Sequence, residues 1–215
     1  MKRFCMGAAL ALFFFALMPL AAGQALAQPD ARQTLEKAIG SVLAILRDPA
    51  YANLAMRGVL RQRIENEVRG SFDFGEFSSR TVGPAWRKFS PQEKESFEAA
   101  FSDLLFNTYL NRIHAYSGES VEYTGEKVAP DGSRAEIMTL LRMKDGKTTP
   151  VAYRMLPKDG SWKVYDVIIE NVSLVKNYRT QFQTILNGAS PEKLINLVRE
   201  KAAQALAQPE GANGR

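Results

Sequence analysis

The chain has very few of the side chains that most enzymes and metal sites depend on. Of its 215 residues only one is cysteine and one is histidine. The cysteine, Cys5, sits at the start of an apolar N-terminal run, so the rest of the chain has neither disulfides nor thiolate chemistry. His114 therefore has no cysteine to join it, which excludes a zinc site or a thiol–imidazole pair on ligand count. Glycines such as Gly75, Gly83, Gly118, Gly125 and Gly132 are scattered. None stands between a strand and a helix at the spacing of a phosphate-binding loop. Charge of one sign is scarce too: the formal net charge is +5, of which Lys2 and Arg3 supply two. An excess that small does not point to nucleic acid, and favours an anionic membrane surface only weakly. There is no internal repeat and no low-complexity block.

Long hydrophobic runs are also missing, except at the N-terminus. Lys2 and Arg3 precede an almost wholly apolar stretch from Phe4 to Leu20, and Ala25-Leu26-Ala27 fits an A-x-A cleavage site. That is the three-part pattern of a secretory signal, with cleavage expected after Ala27. A lipoprotein is not expected, because Cys5 stands at the start of the apolar run rather than after it. Removing residues 1–27 leaves 188, enough for one domain with a substantial core. The expected organisation is a signal peptide over 1–27, a single domain over 28–208 and a disordered tail over 209–215.

What is present is a clear order of periodicities. Leu35, Ile39, Val42, Leu43 and Leu46 mark a first helix, which Asp48-Pro49 ends. A second helical pattern runs from about Tyr51 to Arg69. Asp73 and Glu76 have capping-box spacing, predicting a short helix from Phe74 to about Val82. Ser90-Pro91-Gln92-Glu93 then starts a long helix carrying Phe97, Phe101, Leu104, Leu105, Tyr109 and Ile113. From Gly118 the period becomes two. Four strands follow: one opened by Val121 and Tyr123, then Arg134–Met143, Thr149–Leu156 and Trp162–Glu170. Turns at Asp131-Gly132, Asp145-Gly146 and Asp159-Gly160 separate them. Two more helices close the chain, one from Leu174 to Asn187-Gly188 and one from Ser190-Pro191-Glu192. The predicted fold is α+β: a four-stranded curved antiparallel meander wrapped by about six or seven helices.

The stretch from Trp162 to Phe182 joins the last strand to a helix. Strict alternation places Val164 and Ile168 on one face with Asp166, and Tyr165, Val167 and Ile169 on the other. Asp166 and Glu170 are the only paired carboxylates there. Four residues at about 3.3 Å each put them ~13 Å apart, too far for a close acid–base pair. Asp166 is the best candidate if the chain were an enzyme, but satisfying a turn or an arginine is the simpler role. Ser173 reads as a helix cap. What remains is an excess of large apolar and aromatic side chains. They either fill a closed core, as in an interaction module, or line an apolar pocket of the kind that holds small molecules. Composition does not choose.

A resemblance does. Phe72-Asp73-Phe74, Val82-Gly83-Pro84-Ala85-Trp86, Phe97 and Phe101 come first; then Trp162, Val164-Tyr165-Asp166-Val167, Glu170 and Val172-Ser173-Leu174; then Asn177-Tyr178-Arg179 and Phe182. This pattern, spread over about Leu35 to Lys201, resembles the MlaC or toluene-tolerance family of periplasmic phospholipid shuttles. Family members commonly have glycine where Asn171 stands and a methionine-like residue where Phe77 stands. The resemblance implies a cavity for acyl chains, no catalysis and no cofactor. It implies phospholipid as ligand, with a hopanoid-type lipid as the alternative. As partners it implies an inner-membrane MCE-domain ABC transporter complex and an outer-membrane lipoprotein–porin complex. The cavity wall it suggests is Phe74, Phe101, Leu105, Tyr109, Leu141, Val151, Tyr153, Val167, Ile169 and Leu174, with Arg154 or Arg179 meeting the head group.

Overall fold

A computed structural model describes residues 30–114 and 118–207. The expected signal peptide and the C-terminal tail lie outside the described residues, as do the side chains of positions 110–114, His114 among them. Six α-helices are present among the described residues: α1 (Ala31–Arg47), α2 (Leu54–Ser71), α3 (Phe74–Val82), α4 (Pro91–His114), α5 (Leu174–Leu186) and α6 (Pro191–Ala207). Short 3-10 turns, Pro49–Ala52 and Gly83–Lys88, join α1 to α2 and follow α3. The sheet lies between α4 and α5 in the chain. Its strands are β1 (Ser120–Val128), β2 (Ala135–Arg142), β3 (Thr148–Lys158), β4 (Ser161–Ile169) and β5 (Val172–Ser173), in that order and all antiparallel.

The sheet therefore has five strands rather than the four expected. β5 is two residues long, too short for any alternation to register, and it exists because the chain reverses at Glu170 and Asn171. Both have positive φ, 50° and 66°. Left-handed backbone strains most side chains, and Asn and Gly tolerate it best, which suits Asn171 to this turn. Asp159 and Gly160 form the same kind of two-residue turn between β3 and β4, with φ of 50° and 75°.

The caps explain the helix starts. Ser90 and Glu93 form a reciprocal pair: Ser90 N–H donates to Glu93 Oε2 at 2.8 Å, and Glu93 N–H to Ser90 Oγ at 3.2 Å. Asp73 caps α3 differently from its capping-box spacing. Its Oδ1 accepts from Glu76 N–H, but its own N–H donates to Val164 O, and the Glu76 side chain pairs with Arg80. Phe72 thereby bridges β4 in parallel and covers part of its outer edge.

β4 departs from strict alternation. Arg154 pairs with Asp166 but Met155 with Val164, so Tyr165 is the extra residue of a bulge. Directly paired residues share a face. Val164, opposite Met155, therefore lies on the same face as Val167, opposite Tyr153, and Ile169, opposite Val151. The alternation expected from the sequence separated Val164 from those two, and the bulge corrects it. One face of the sheet now carries Ala135, Ile137, Thr139 and Leu141 of β2, Val151, Tyr153 and Met155 of β3, and Trp162, Val164, Val167 and Ile169 of β4.

That face meets the helices. The core joins Leu35 of α1, Phe77 of α3, Phe97 and Phe101 of α4, Tyr178 and Phe182 of α5 and Leu194 of α6 to the sheet. Phe101 is its hub, with ring centroids 5.5 Å from Phe77, 5.0 Å from Tyr178 and 5.4 Å from Phe182. Edge-to-face contacts of this kind add about 0.5–1.5 kcal/mol each to the burial itself. A smaller core, Ile45, Leu60 and Ile64, holds α1 against α2.

Asp166 fixes α5 to the sheet. It is buried, its Oδ1 accepts from Val175 N–H at 3.0 Å, and its Oδ2 accepts from Ser173 Oγ at 2.7 Å and Arg154 Nη1 at 3.3 Å. Ser173 Oγ in turn accepts from Lys176 N–H as the cap of α5. We predict that Asp166→Ala lowers unfolding stability by about 2–4 kcal/mol, since it strands a buried N–H, a hydroxyl and an arginine. Urea denaturation of the variant against the parent measures this; a loss under ~0.5 kcal/mol would refute the role.

Candidate functional site

The helix-facing side of the sheet is not buried evenly. Toward the start of β2 and the end of β3 it is closed: Ala135, Ile137, Met155 and Val164 are all under 5 % exposed. Toward the other end, Leu141, Val151, Tyr153 and Ile169 are only half-buried, and so are Val121 and Tyr123 of β1. Val151, Tyr153, Ile169 and Tyr123 nevertheless pack against the main core. The result is an apolar face that the helices cover fully at one end and partly at the other.

Two elements border the partly covered end. α5 begins there, because Leu174 follows β5, which pairs with the last residues of β4. One turn into α5, Tyr178 lies close to Thr108 and Tyr109 of α4. The C-terminal half of α4 thus brings Leu105 and Tyr109 to the same end as Ile169.

Nine of the ten wall residues suggested by the resemblance fall within or against this one core. Phe101, Leu105, Val167 and Leu174 are buried in it, and Phe74, Tyr109, Val151, Tyr153 and Ile169 pack on it half-buried. Leu141 shares the sheet face by register with Thr149. The two arginines lie elsewhere. Arg154 points to the opposite face, where its Nε donates to Glu136 at 2.8 Å and its Nη1 reaches Asp166. Arg179 donates from Nε to the backbone carbonyl of Arg80 at 2.7 Å, beneath the end of α3. Tyr123 and Thr139 also belong to the apolar face although the family pattern does not single them out. The signal for both was present in the period-two alternation of β1 and β2.

The face is apolar but not featureless, since phenols and a hydroxyl punctuate it. Thr139 Oγ1 donates to Val151 O at 3.0 Å, satisfying itself inside the sheet. Burial pushes the Tyr153 phenol up to about 12, helped by the nearby Tyr123 and opposed by a hydrogen bond with Thr139. Burial does the same for Tyr123, with Glu36 adding and Arg32 opposing, and for Tyr178, with Tyr109 adding and Thr108 opposing. Arg32 lies over the Tyr123 ring, its guanidinium 5.5 Å from the centroid, so α1 caps the β1 side of the face.

Among the described residues no group of three or more His, Cys, Asp or Glu side chains is placed to hold a metal ion. None of the described helices is long and apolar enough to cross a membrane. The arrangement can therefore be stated as a class: an α+β domain whose sheet presents a continuous apolar face, sealed by aromatics at one end and half-open at the other. The family model for the MlaC protein matches residues 36–200, and the chain belongs to that family. It is 25% identical over 165 residues to the intermembrane phospholipid transport system binding protein MlaC of Haemophilus influenzae, covering 75% of this chain and 73% of that protein. To the toluene tolerance protein ttg2D of Pseudomonas putida it is 30% identical over 112 residues, about half of each chain. The fold is that of a phospholipid-binding protein from Ralstonia solanacearum solved in complex with a phospholipid. The TM-score is 0.74 at 24% identity, over 82% of this chain and 99% of that one.

The raised phenols set a testable pH dependence. A tyrosine whose folded-state pKa lies near 12 rather than 10 binds its proton more tightly when folded. Its contribution is intact below about pH 10 and is lost as the pH rises from about 10 to about 12. Denaturant midpoints measured from about pH 8 to about pH 11.5 should be flat at first and then fall, and the fall should be shallower in Tyr153→Phe. A midpoint that stays constant up to about pH 11.5 would show that these phenols are not buried in the folded protein.

Proposed function

We propose that this chain is a soluble carrier of phospholipid, which sequesters acyl chains against the half-open end of the sheet and does no catalysis. The observation that carries the reading is the graded burial of one apolar face, from fully sealed at Ile137 and Met155 to half-covered at Leu141, Val151 and Ile169. Half-covered aliphatic side chains gain about 25 cal/mol for each Å² further removed from water, and each methylene of a tail placed there contributes about 0.8 kcal/mol. Membership of the MlaC family and the phospholipid seen in a protein of the same fold support the choice of ligand.

The wall we assign is Phe74, Phe101, Leu105, Tyr109, Leu141, Val151, Tyr153, Val167, Ile169 and Leu174. Head-group contact falls to Arg179 ahead of Arg154, because Arg154 is already shared between Glu136 and Asp166. Asp166, the one carboxylate that might have suggested an enzyme, has both oxygens occupied in holding α5. The carrier works in the periplasm as one domain over residues 28–208, released from a signal peptide over 1–27 and followed by a disordered tail over 209–215. It receives and delivers lipid through an inner-membrane MCE-domain ABC transporter complex and an outer-membrane lipoprotein–porin complex. It needs no cofactor, and the partners set the direction of transport.

Protein purified without detergent and extracted into organic solvent should yield phospholipid in roughly stoichiometric amount by mass spectrometry. A hopanoid in its place would redirect the reading to that lipid class, and an extract free of lipid would favour a closed-core interaction module. Val151→Trp should displace about three methylenes of a tail, costing about 2.4 kcal/mol or about fiftyfold in affinity. Unchanged lipid content in a folded Val151→Trp protein would overturn the wall assignment.

A further inference from the structure

The far end of the α1–α2 hairpin differs from the rest of the fold in both packing and charge. The N-terminal half of α1 belongs to the main core through Ala31, Leu35 and Ile39. Its second half leaves that core, and packs instead with α2 around Ile45, Leu60 and Ile64, assisted by Val42, Leu46, Tyr51 and Val68. The far end of the hairpin thus has its own small core, while its base is tied to α4 through Arg69, which donates to Ser102 and Asp103.

Its outward face is unusual. A surface helix ordinarily turns polar side chains to water, yet α2 exposes Met56 at 41 % and Val59 at 56 %. They are three residues apart, one above the other on the same side of the helix. They account for two of the six large apolar side chains exposed among the described residues. Gly58 and Ala55 beside them are also exposed and add no polar group.

The surroundings are basic. Residues 37–63 contain Lys37, Arg47, Arg57, Arg61 and Arg63 against a single carboxylate, Asp48. Asp48 is engaged as a cap, its Oδ1 accepting from Ala50 N–H at 2.9 Å. The segment's formal charge is +4, whereas all the described residues together sum to +3. The whole hairpin, residues 31–71, sums to +3 with Glu36, Glu65 and Glu67 counted, so it carries the net excess and the other described residues balance to zero. Arg63 is exposed one turn beyond Val59 on the same side of α2, and Lys37 and Arg47 are exposed on α1.

We infer that the outward face of this hairpin docks on an anionic lipid surface, with Met56 and Val59 entering the head-group layer and the hairpin's cations meeting the lipid phosphates. A bilayer is the occupant that the two features select together. Anionic lipid attracts a cationic segment over about a Debye length, and short apolar side chains among arginines match the boundary between head group and acyl chain. The apolar patch is too small to bury a standard protein interface, for which about 800 Å² per partner is usual. α1 carries both part of the docking hairpin and, through Leu35, Ile39 and Arg32, the cover over the β1 side of the apolar sheet face. Docking therefore holds that cover at the membrane. The inference goes beyond the carrier reading and has its own readout, since vesicle binding is measured whether or not the purified protein contains lipid.

The test is flotation of the purified protein with vesicles of phosphatidylcholine alone and with vesicles containing phosphatidylglycerol. We expect binding to the phosphatidylglycerol vesicles only, weakened at least tenfold when salt is raised from about 0.05 M to about 0.5 M. Met56→Ser with Val59→Ser, and separately Arg63→Glu with Lys37→Glu, should each weaken binding about tenfold. All four positions are solvent-exposed, and the thermal midpoint of each variant checks that it remains folded. As a control, Arg142→Glu on the exposed side of the sheet should leave vesicle binding unchanged. Failure to float with anionic vesicles, or flotation that survives both hairpin variants, would overturn the proposal. So would a loss as large for Arg142→Glu as for the hairpin pairs, because net charge alone would then account for binding.

Discussion

The fold depends on a single buried carboxylate. Asp166 lies where β4 bulges, and from there it reaches over the Glu170–Asn171 turn to hold the Val175 N–H and the Ser173 cap of α5. A buried carboxylate without partners would be costly, and this one accepts three hydrogen bonds. The bulge and the clasp belong together. Without the extra residue Tyr165, the strand would turn Val164 away from the face shared by Val167 and Ile169, and the apolar surface would be broken. With it, one face stays continuous from Trp162 to Ile169 while Asp166 faces α5. The position of α5 then decides where Tyr178 and Phe182 meet Phe97 and Phe101, and so which end of the sheet is sealed.

This sealing gives the apolar face a direction. Aromatic rings in edge contact fill the space between helices and sheet at one end, where nearly nothing is exposed. At the other end the cover is thinner, and Leu141, Val151 and Ile169 are left partly exposed. A protein gains by covering such surface, and a flexible hydrocarbon tail covers it without demanding matched polar groups. The hydroxyl of Thr139 does not disturb this, because it already donates to Val151 O within the sheet. In the proposed carrier, stability and binding draw on the same face, divided along its length.

Much of this was legible in the sequence, because capping chemistry is local. Ser90-Pro91-Gln92-Glu93 and Asp73 mark helix starts that the structure places within a residue, and Asp159-Gly160 marks the tight hairpin. Ser173 was legible as a cap for the same reason. What escaped was set by tertiary contact. The β4 bulge is a mismatch between two strands and leaves no trace in either alone. β5 is a consequence of two left-handed residues rather than of a pattern. The register puts Leu141, Val151, Tyr153, Val167 and Ile169 on one sheet face, while their choice as a lipid wall came from family likeness. The partners of Arg154 were not legible, because its contacts with Glu136 and Asp166 depend on a neighbouring strand and the bulge.

The central claim is that lipid tails lie on the half-covered end of this one sheet face. A phospholipid carrying a photoactivatable diazirine in its tail tests that directly, by irradiation of the complex followed by digestion and mass spectrometry of the modified peptides. Adducts on Tyr109, Leu141, Val151, Tyr153 and Ile169 are the predicted result. Adducts confined to Met138, Leu140 and Ile168 on the opposite face, or none on the sheet at all, would contradict it.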